Sequence, residues 1–366
     1  MKLVYLSSLR LPTRNAHGFQ VMNMCSAFSR SGIEVELVVP WRFNLLKDEP
    51  FGFYGLKHTF AVKKIPAIDL YPLRFIPERI SNFVHLFSFL ILVRIYLWFK
   101  KFDVLYTREG AAAIFFPHLV YEIHMPEQMS APSLVPNKII VITSYIKEEL
   151  IKRGLKSGDV LVAPDATDPT LFGKVSREQA RRELGFPTDK PIVLYWGNFK
   201  PWKGVDTLAE AASKLQDEFV VIIGATKESD LNRIKEKTAK LSNVLVKGFQ
   251  PPEDMPKYLA AADVLVLPNS AKDENSLLYT SPLKLFEYMA AERPIVASDL
   301  PSLREILNNR NAVFFKPDSP ESLATTVKML LSHEELRETL ARQARKDVLE
   351  YTWDKRAKKI LDFLRE

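Results

Sequence analysis

Short apolar β-type segments alternate with amphipathic helical segments along the chain, in two separate series. The first series begins with the strand Leu3–Ser7 and the helix Gly18–Ser31, and it ends near Val160–Ala163. The second runs from the strand Ile192–Trp196 to the helix Pro320–Leu331. Strands that alternate with helices form parallel sheets covered by helices on both faces. The sequence therefore predicts an α/β protein with two Rossmann-like domains.

The length of 366 residues suits two domains. We expect an N-terminal domain over residues 1–168, a C-terminal domain over residues 169–350 and a final helical segment over residues 351–366. Parallel α/β sheets bind their ligands beyond the carboxyl ends of the strands. With two such domains facing one another, the predicted ligand site lies in the cleft between them.

The formal charge of +7 is concentrated in one segment. Residues 42–101 hold ten basic and four acidic side chains, so this segment supplies six of the seven units. A local basic field attracts anionic lipid or phosphorylated substrates as well as nucleic acid. Because the segment lacks a recognised module with interleaved exposed aromatic residues, we expect no nucleic-acid partner.

A long apolar segment, Phe83–Phe99, is interrupted by three polar residues, of which one is Arg94. A bilayer span needs about 20 apolar residues, and a central arginine is costly there. Three interpretations remain: a buried core helix, a helix partly docked on an anionic membrane surface, or, least favoured, a membrane span.

Several common functional classes are excluded by what the sequence lacks. Cys25 is the only cysteine, so no intrachain disulfide and no cysteine-based zinc site can form. The six histidines are scattered, and Gly-x-Gly, Asp-x-Asp, His-Glu-x-x-His and Gly-x-Ser-x-Gly are all absent. We therefore predict no metal and no cofactor. The N-terminal residues lack a signal-peptide pattern, so we expect a cytoplasmic location.

Two segments of the second series have the character of an anion site. In Tyr195–Gly204, a strand ends in a turn that places Lys200 and Lys203 beside a helix start, an arrangement that suits a diphosphate. In Tyr279–Ala291, Ser281 is a suitable N-cap residue and Pro282 a suitable first helical residue. Solvated lysines at an ordinary turn are the alternative for the first segment.

Glu287 lies further along the second of these helices, among mostly apolar residues. A carboxylate in that position can accept hydrogen bonds from a ribose diol. The alternative is a surface charge, or an ion pair with Lys284 one turn earlier.

These segments resemble the retaining family-4 glycosyltransferases of GT-B fold. The resemblance rests on the glycine turn with Lys203, on "GFQPPEDMPKYLAAADVLVLP" and on "SPLKLFEYMAAERPIVASD". In the first half it is looser, and includes Gly18, the "VYEIH" that ends at His124, and "IIVITSYIKEELIKRG". The terminal "YTWDKRAKKILDFLRE" is similar to the family's helix that crosses back onto the first domain. The first domain would then be the acceptor side and the second the nucleotide-sugar side.

The resemblance implies roles for individual residues. Lys203 would hold the donor diphosphate, Glu287 would bind the ribose, and His124 would position the donor sugar or the acceptor. A histidine that merely ends a buried strand is the alternative for His124. The implied catalytic residues are His124, Lys203 and Glu287. The implied donor-binding residues are Gly18, Gly197, Asn198, Lys200, Lys203, Lys247, Gly248, Phe249, Tyr279, Ser281, Pro282, Leu283, Lys284 and Glu287.

Two positions depart from the family pattern. Asn198 stands where the family usually has an arginine, and Lys200 is two residues further on. Tyr279 stands where the family has the first glutamate of its Glu-x7-Glu motif. The resemblance thus implies a retaining, metal-independent transfer of a hexose-type sugar from a nucleotide-diphosphate sugar.

The basic segment favours a glycan or lipid-linked acceptor and peripheral association with the inner face of an anionic membrane. The alternatives are a GT-B-shaped binding or partner subunit whose catalysis is impaired by Asn198 and Tyr279, and, less favoured, a sugar-nucleotide epimerase or phosphorylase.

Overall fold

The structure is a computed structural model that describes residues 1–71, 73, 75–125, 128 and 138–366. The chain divides into two compact units. Unit 1 consists of Met1–Ala163 and Trp353–Glu366, and unit 2 of Pro164–Thr352. The sequence placed the corresponding boundaries at residues 168 and 350, a few residues away.

Unit 1 is built on a parallel sheet of seven strands in the order β3-β2-β1-β4-β5-β6-β7. Its strands are β1 (Lys2–Leu6), β2 (Glu34–Trp41), β3 (Ala61–Pro66), β4 (Val104–Thr107), β5 (Val120–Ile123), β6 (Lys138–Val141) and β7 (Val160–Val162). Its first helices are α1 (Ala16–Arg30), α2 (Pro50–Phe53), α3 (Glu78–Trp98), α4 (Ala112–Phe115) and α5 (Ser144–Lys152). β3 was not predicted, because its side chains are mostly polar or exposed and give no apolar run.

Unit 2 has a parallel sheet of six strands in the order β10-β9-β8-β11-β12-β13. Its strands are β8 (Ile192–Trp196), β9 (Phe219–Ala225), β10 (Val244–Gly248), β11 (Val264–Leu267), β12 (Ile295–Ser298) and β13 (Val313–Phe315). Its helices are α6 (Arg177–Leu184), α7 (Val205–Ala211), α8 (Glu228–Thr238), α9 (Met255–Ala261), α10 (Leu283–Ala290), α11 (Pro301–Arg304), α12 (Pro320–Leu331) and α13 (Glu334–Asp347). Apolar side chains of the central strands pack against helices on both faces, as a doubly wound sheet requires.

The chain then returns to unit 1 with α14 (Trp353–Arg365), which packs beside α1. One face of α14 is buried, including Trp353, Ile360 and Leu361. The apolar spacing of this helix explains its docking, since a helix with one apolar face is stabilised by burying that face.

Helix α3 has 21 residues and a mean hydropathy of 1.7, so its length and composition alone would allow it to cross a membrane. Only a third of its apolar window is buried within the structure. One stripe, with Phe89, Leu90 and Val93, packs into unit 1. The opposite stripe is exposed, and Trp98 at its end is 75% exposed. The helix is therefore not the fully buried core helix of the first interpretation.

Candidate functional site

Gly197 opens the turn after β8 and leaves room for a lysine from another element. Its φ is +149°, and a Cβ atom here would lie 2.8 Å from Nζ of Lys284 and 3.1 Å from the hydroxyl of Tyr195. A side chain at this position would have to displace the ammonium group. The sequence did not reveal that Lys284, on α10, reaches this turn.

A chain of hydrogen bonds joins Lys284 to the turn. Lys284 Nζ donates to the Tyr195 hydroxyl at 2.7 Å and lies 4.0 Å from the centre of the Tyr195 ring. The same hydroxyl donates to the carbonyl oxygen of Asn198 at 2.7 Å. The side-chain Oδ1 of Asn198 is buried without a hydrogen-bond partner. Lys284 Nζ thus lies beside the turn that carries Asn198, the position at which the glycosyltransferases that this sequence resembles usually have an arginine.

Lys203 is the second buried lysine of unit 2. It is 8% exposed, and its Nζ lies 3.7 Å from the centre of the Trp202 ring. Burial, and then the nearby charge of Lys200, lower the pKa of Lys203 to about 7, against the opposing effect of Asp165 and Asp273. Lys200 itself is exposed.

Lys284 is 7% exposed, and its pKa is lowered by burial and then by Lys203, although Glu287 acts in the opposite direction. Within the described part of the chain, neither Lys203 nor Lys284 forms a salt bridge. A buried ammonium without a carboxylate partner is costly, because burial removes its hydration. An anion that enters here would therefore gain more than a surface ion pair provides.

The start of α10 differs from the prediction. Pro282 is the N-cap residue, the helix begins at Leu283, and no side chain caps it. Ser281 was predicted to cap this helix, but its hydroxyl instead accepts a hydrogen bond at 3.1 Å from the backbone N–H of Asp165. The first N–H groups of an uncapped helix remain available to an anion.

Glu287 lies one turn after Lys284 and is partly buried. Desolvation raises the pKa of its carboxyl group to about 7, and Lys284 acts in the opposite direction. In the described part of the structure this carboxyl group has no hydrogen-bond partner. The next residue fixes the helix, since the Tyr288 hydroxyl accepts from the backbone N–H of Trp196 at 2.8 Å.

The turn after β10 follows a register irregularity between Lys247 and Gly248. The backbone N–H of Phe249 donates to the carbonyl of Ala225 at 2.8 Å. The side chain of Lys247 is directed to the Tyr258 hydroxyl at 3.2 Å. The Lys247 side chain and the backbone of Phe249 are thus both engaged in contacts within unit 2, since the Phe249 carbonyl also accepts from Gln250 at 3.0 Å.

Tyr279 ends a short turn of π-helical type over Asn275–Tyr279. Its hydroxyl donates to Oε1 of Glu274 at 3.3 Å. A carboxylate therefore lies next to the position where the family has its first glutamate, although it comes from a residue outside the expected register.

In unit 1, Gly18 lies in the first turn of α1. A Cβ atom at Gly18 would collide with the hydroxyl of Tyr54 and with the side chain of Thr13. Tyr54 is held there because its hydroxyl accepts from the Thr13 N–H at 2.8 Å and donates to the Thr13 carbonyl at 2.9 Å. Packing inside unit 1 therefore already accounts for this glycine.

His124 follows β5 and is 9% exposed. Its Nε2 contacts Oε1 of Glu122, a fully buried residue of β5. Glu122 also accepts hydrogen bonds from Gln20 at 2.7 Å, from Arg356 of α14 at 2.7 Å and from the Tyr106 hydroxyl. Burial raises the pKa of Glu122, but Arg356 and then His124 outweigh it and hold that pKa well below its usual range.

Sequence reasoning missed this buried group around Glu122. Arg356 is separated from Glu122 by 234 residues, so no local pattern joins them. A usable signal was the arginine on the otherwise apolar face of the terminal helix. His17, whose Nε2 is buried without a partner, was missed as well. Its pKa is lowered by burial and then by Arg108 and His124.

The chain is similar to known proteins in sequence and in fold. Residues 176–347 match the family model for glycosyl transferases group 1. An uncharacterized glycosyltransferase of Methanocaldococcus jannaschii is 30% identical over 236 residues, which are 62% of this chain and 59% of that protein. The chain spans about half the length of the curated relatives that it matches.

Two solved structures resemble the whole chain. Sucrose-phosphate synthase from Thermosynechococcus elongatus superposes with a TM-score of 0.78 at 18% identity, over 100% of this chain and 98% of that one. HepE from Anabaena, in complex with UDP and glucose, gives a TM-score of 0.78 at 15% identity over 100% of both chains. The predicted fold class, α/β of the GT-B type with two Rossmann-like domains, is confirmed. The chain therefore has a fold of the GT-B type, and its residues 176–347 are similar to the group 1 glycosyl transferases.

Proposed function

We propose that this protein is a retaining family-4 glycosyltransferase. It moves a hexose-type sugar from a nucleotide-diphosphate sugar to a glycan or lipid-linked acceptor, without a metal ion. The observation that carries the proposal is the pair of buried lysines, Lys203 and Lys284, beside the turn at Gly197 and the start of α10. The complex of HepE with UDP makes a uridine diphosphate sugar the first donor to test.

The two lysines would stabilise the diphosphate as it leaves. Negative charge grows on that group in the transition state, and preorganised positive charge in a desolvated site is most effective there. The uncapped start of α10 adds backbone N–H groups of the same polarity. In this way the chain's own residues would supply the charge that a metal ion supplies elsewhere.

Retention follows if the acceptor hydroxyl attacks the face from which the diphosphate departs. The C1–O bond to the diphosphate breaks as the new C1–O bond forms, and a departing phosphate oxygen takes the proton of the acceptor. No protein nucleophile is then needed. Glu287 would bind the ribose diol of the donor. The turn at Gly248 and Phe249 would contact the base of the nucleotide.

The catalytically impaired subunit is the weaker alternative. Its support was Asn198 in place of the family's arginine and Tyr279 in place of its first glutamate. The Lys284 ammonium beside Gly197 supplies positive charge at that place. His124 would act on the donor sugar or the acceptor from unit 1, where Glu122 holds its ring.

The donor test uses thermal unfolding with a panel of nucleoside diphosphates and their sugars. A ligand that binds only the folded state at 100 times its Kd stabilises it by about 2.7 kcal/mol. One nucleotide should stabilise the wild type and Lys240→Ala, which alters an exposed lysine of unit 2, but not Lys203→Ala. Equal stabilisation of all three proteins would contradict the site. The anomeric configuration of the product, read by NMR in the presence of a chelator, tests retention and metal independence.

The exposed stripe of α3 supports peripheral association with the cytoplasmic face of an anionic membrane. It combines exposed Phe83, Ile95 and Trp98 with the basic residues Arg79 and Arg94, and the Arg94 guanidinium lies 5.9 Å from the Trp98 ring. An amphipathic helix of this kind lies in the plane of the headgroups.

Trp98→Ser should reduce binding to vesicles of 30% phosphatidylglycerol in phosphatidylcholine by about tenfold, because it removes a large interfacial side chain. Trp41→Ser, which alters an exposed tryptophan of β2, is the matched control. Equal vesicle binding by both variants would argue against α3 as the membrane contact.

A further inference from the structure

Two arginines of unit 1 meet at one short segment of the chain. The Arg10 guanidinium lies 4.3 Å from the centre of the Tyr71 ring. The Arg42 Nη2 lies 3.6 Å from Oδ1 of Asp69, and the same oxygen accepts from the Tyr71 N–H at 3.2 Å. Stacking on one end of the segment and ion pairing at the other therefore bring both guanidinium groups to the same place.

The positive charge here is not balanced by the described residues. Asp69 is the one carboxylate of the cluster, and it also accepts from the Phe43 N–H at 3.1 Å. Nε of Arg10 and Nε of Arg42 are both buried without a hydrogen-bond partner. The Arg42 side chain is only 12% exposed, so its charge is poorly hydrated.

The neighbouring His85 does not change this balance. It is buried, and desolvation followed by the charge of Arg42 lowers its pKa to about 4, so it is neutral near pH 7. Arg10 and Arg42 also oppose one another, since burial and then Arg10 lower the pKa of Arg42 while Asp69 raises it. Two guanidinium groups beside a single described carboxylate, which pairs with Arg42 alone, leave a net positive charge.

The topology puts this pair at a ligand-binding edge. Arg10 follows β1, Arg42 follows β2 directly, and Asp69 follows β3. These three strands are adjacent and parallel in the sheet of unit 1. The carboxyl ends of parallel strands are where open α/β sheets bind ligands. A partly desolvated arginine pair in that position is suited to a planar, bidentate anion contact.

We propose that Arg10 and Arg42 form a phosphoryl-binding site of unit 1 that recognises a phosphate or diphosphate group of the acceptor. The inference rests on the proposed function and narrows its acceptor to a phosphorylated molecule, whether a soluble sugar phosphate or a lipid-linked one. Arginine forks match phosphate oxygens in geometry and charge. Tyr71 holds the Arg10 guanidinium by stacking, and Asp69 holds the Arg42 guanidinium by ion pairing.

The experiment measures binding of inorganic phosphate to the full chain by calorimetry, in a Lys203→Ala background that removes the proposed diphosphate site of unit 2. Arg10→Gln should weaken the remaining phosphate binding at least tenfold, and Arg42→Gln should do the same. Arg365→Gln, which alters an exposed arginine on α14, should leave it unchanged. Because Arg10 makes no hydrogen bond or ion pair with the residues that the structure describes, Arg10→Gln should leave the fold intact even if Arg42→Gln does not.

Equal phosphate affinity in the Arg10→Gln and Arg365→Gln proteins would overturn the inference. A second measurement distinguishes the sources of the phosphoryl group. If the pair binds membrane headgroups, Arg10→Gln also lowers binding to the phosphatidylglycerol vesicles. If it binds the acceptor's own phosphate, vesicle binding is unchanged while KM for a phosphorylated acceptor rises and kcat does not change. Stabilisation of the protein by the donor nucleotide is measured separately. A negative result in that measurement would not contradict the proposed phosphoryl-binding site of unit 1.

Discussion

Two buried charge clusters, one around Glu122 in unit 1 and one around Lys203 and Lys284 in unit 2, are satisfied in opposite ways. In unit 1, the fully buried Glu122 is surrounded by direct partners: Gln20, Tyr106, His124 and Arg356. In unit 2, Lys203 and Lys284 are buried with no salt bridge among the described residues, and Glu287 is partly buried and has a raised pKa. The first arrangement is complete in the protein alone. The second, under the proposed function, would be completed by an anion.

The difference separates a structural charge from a functional one. When one partner of a buried and fully partnered charge is removed, the protein is strongly destabilised, because the remaining charge is left uncompensated. A buried charge without partners destabilises the folded protein until a ligand supplies them, and shifts of pKa at such groups are typical of functional sites.

Arg356→Met should cost about 3–5 kcal/mol of folding free energy, because it leaves the carboxylate of Glu122 buried without its main counter-charge. The midpoint of urea unfolding, followed by a probe in unit 1, measures the loss. Arg365→Met alters an exposed arginine on the same helix and should have almost no effect. Similar midpoints for the two variants would show that the Glu122 group is not held by Arg356.

Lys203→Met should change stability in the opposite direction, since it should raise the free energy of unfolding. At pH 6 the lysine is protonated and buried, and each unit by which burial lowers its pKa corresponds to about 1.4 kcal/mol. The lowering of this pKa from 10.5 to about 7, by roughly 3.5, corresponds to about 5 kcal/mol. Removing the charge should therefore raise the free energy of unfolding of the ligand-free protein by at most that amount, while abolishing stabilisation by the donor nucleotide. A loss of stability as large as that of Arg356→Met would mean that Lys203 is a structural charge.

The fold and part of the candidate site could be predicted from the sequence, whereas the contacts between distant residues could not. The alternation of strands and helices predicted both sheets, and the turn at Gly197, Lys203 and the helix with Glu287 were identified from local patterns. Local patterns could not show that Lys284 reaches Gly197, because that contact depends on how α10 packs on β8.

The errors have the same origin. Ser281 has the residue type of an N-cap, but its hydroxyl accepts a hydrogen bond from the backbone N–H of Asp165, which is distant in sequence. The Glu122 group was missed because its members come from α1, β4, β5 and α14. Residue type and spacing fix local structure, whereas charge pairing is decided by tertiary packing.

Asn198→Arg tests whether Lys284 takes over the role of the family's arginine. Lys284→Met should weaken binding of the donor nucleotide by more than tenfold. Adding Asn198→Arg to Lys284→Met should recover about tenfold, or about 1.4 kcal/mol, because the guanidinium would extend from the same turn. Adding Lys240→Arg instead should recover nothing. Calorimetric titration measures the affinity of each of the three proteins for the donor nucleotide. If Asn198→Arg restores no affinity, Lys284 does not take over the role of the family's arginine.

The smallest effect is the pH dependence of donor binding. Lys203 has a pKa of about 7 in the ligand-free protein, below its ordinary value of 10.5, so above pH 7 it is mostly neutral. A diphosphate favours the charged form, and binding at pH 8 should therefore take up close to one proton. Between pH 7 and pH 8 the affinity should fall by about fivefold, because a growing share of the free protein must first be protonated.

Titrations in two buffers of different ionisation enthalpy count this proton. Glu287, with a pKa raised to about 7, would instead lose a proton if it bound the ribose as a carboxylate, and this release falls away by pH 8. Uptake that disappears in Lys203→Met but persists in Glu287→Gln would assign the proton to the lysine. Absence of uptake in the wild type would show that Lys203 is already charged without ligand, and the contrast between the two units would then rest on Lys284 alone.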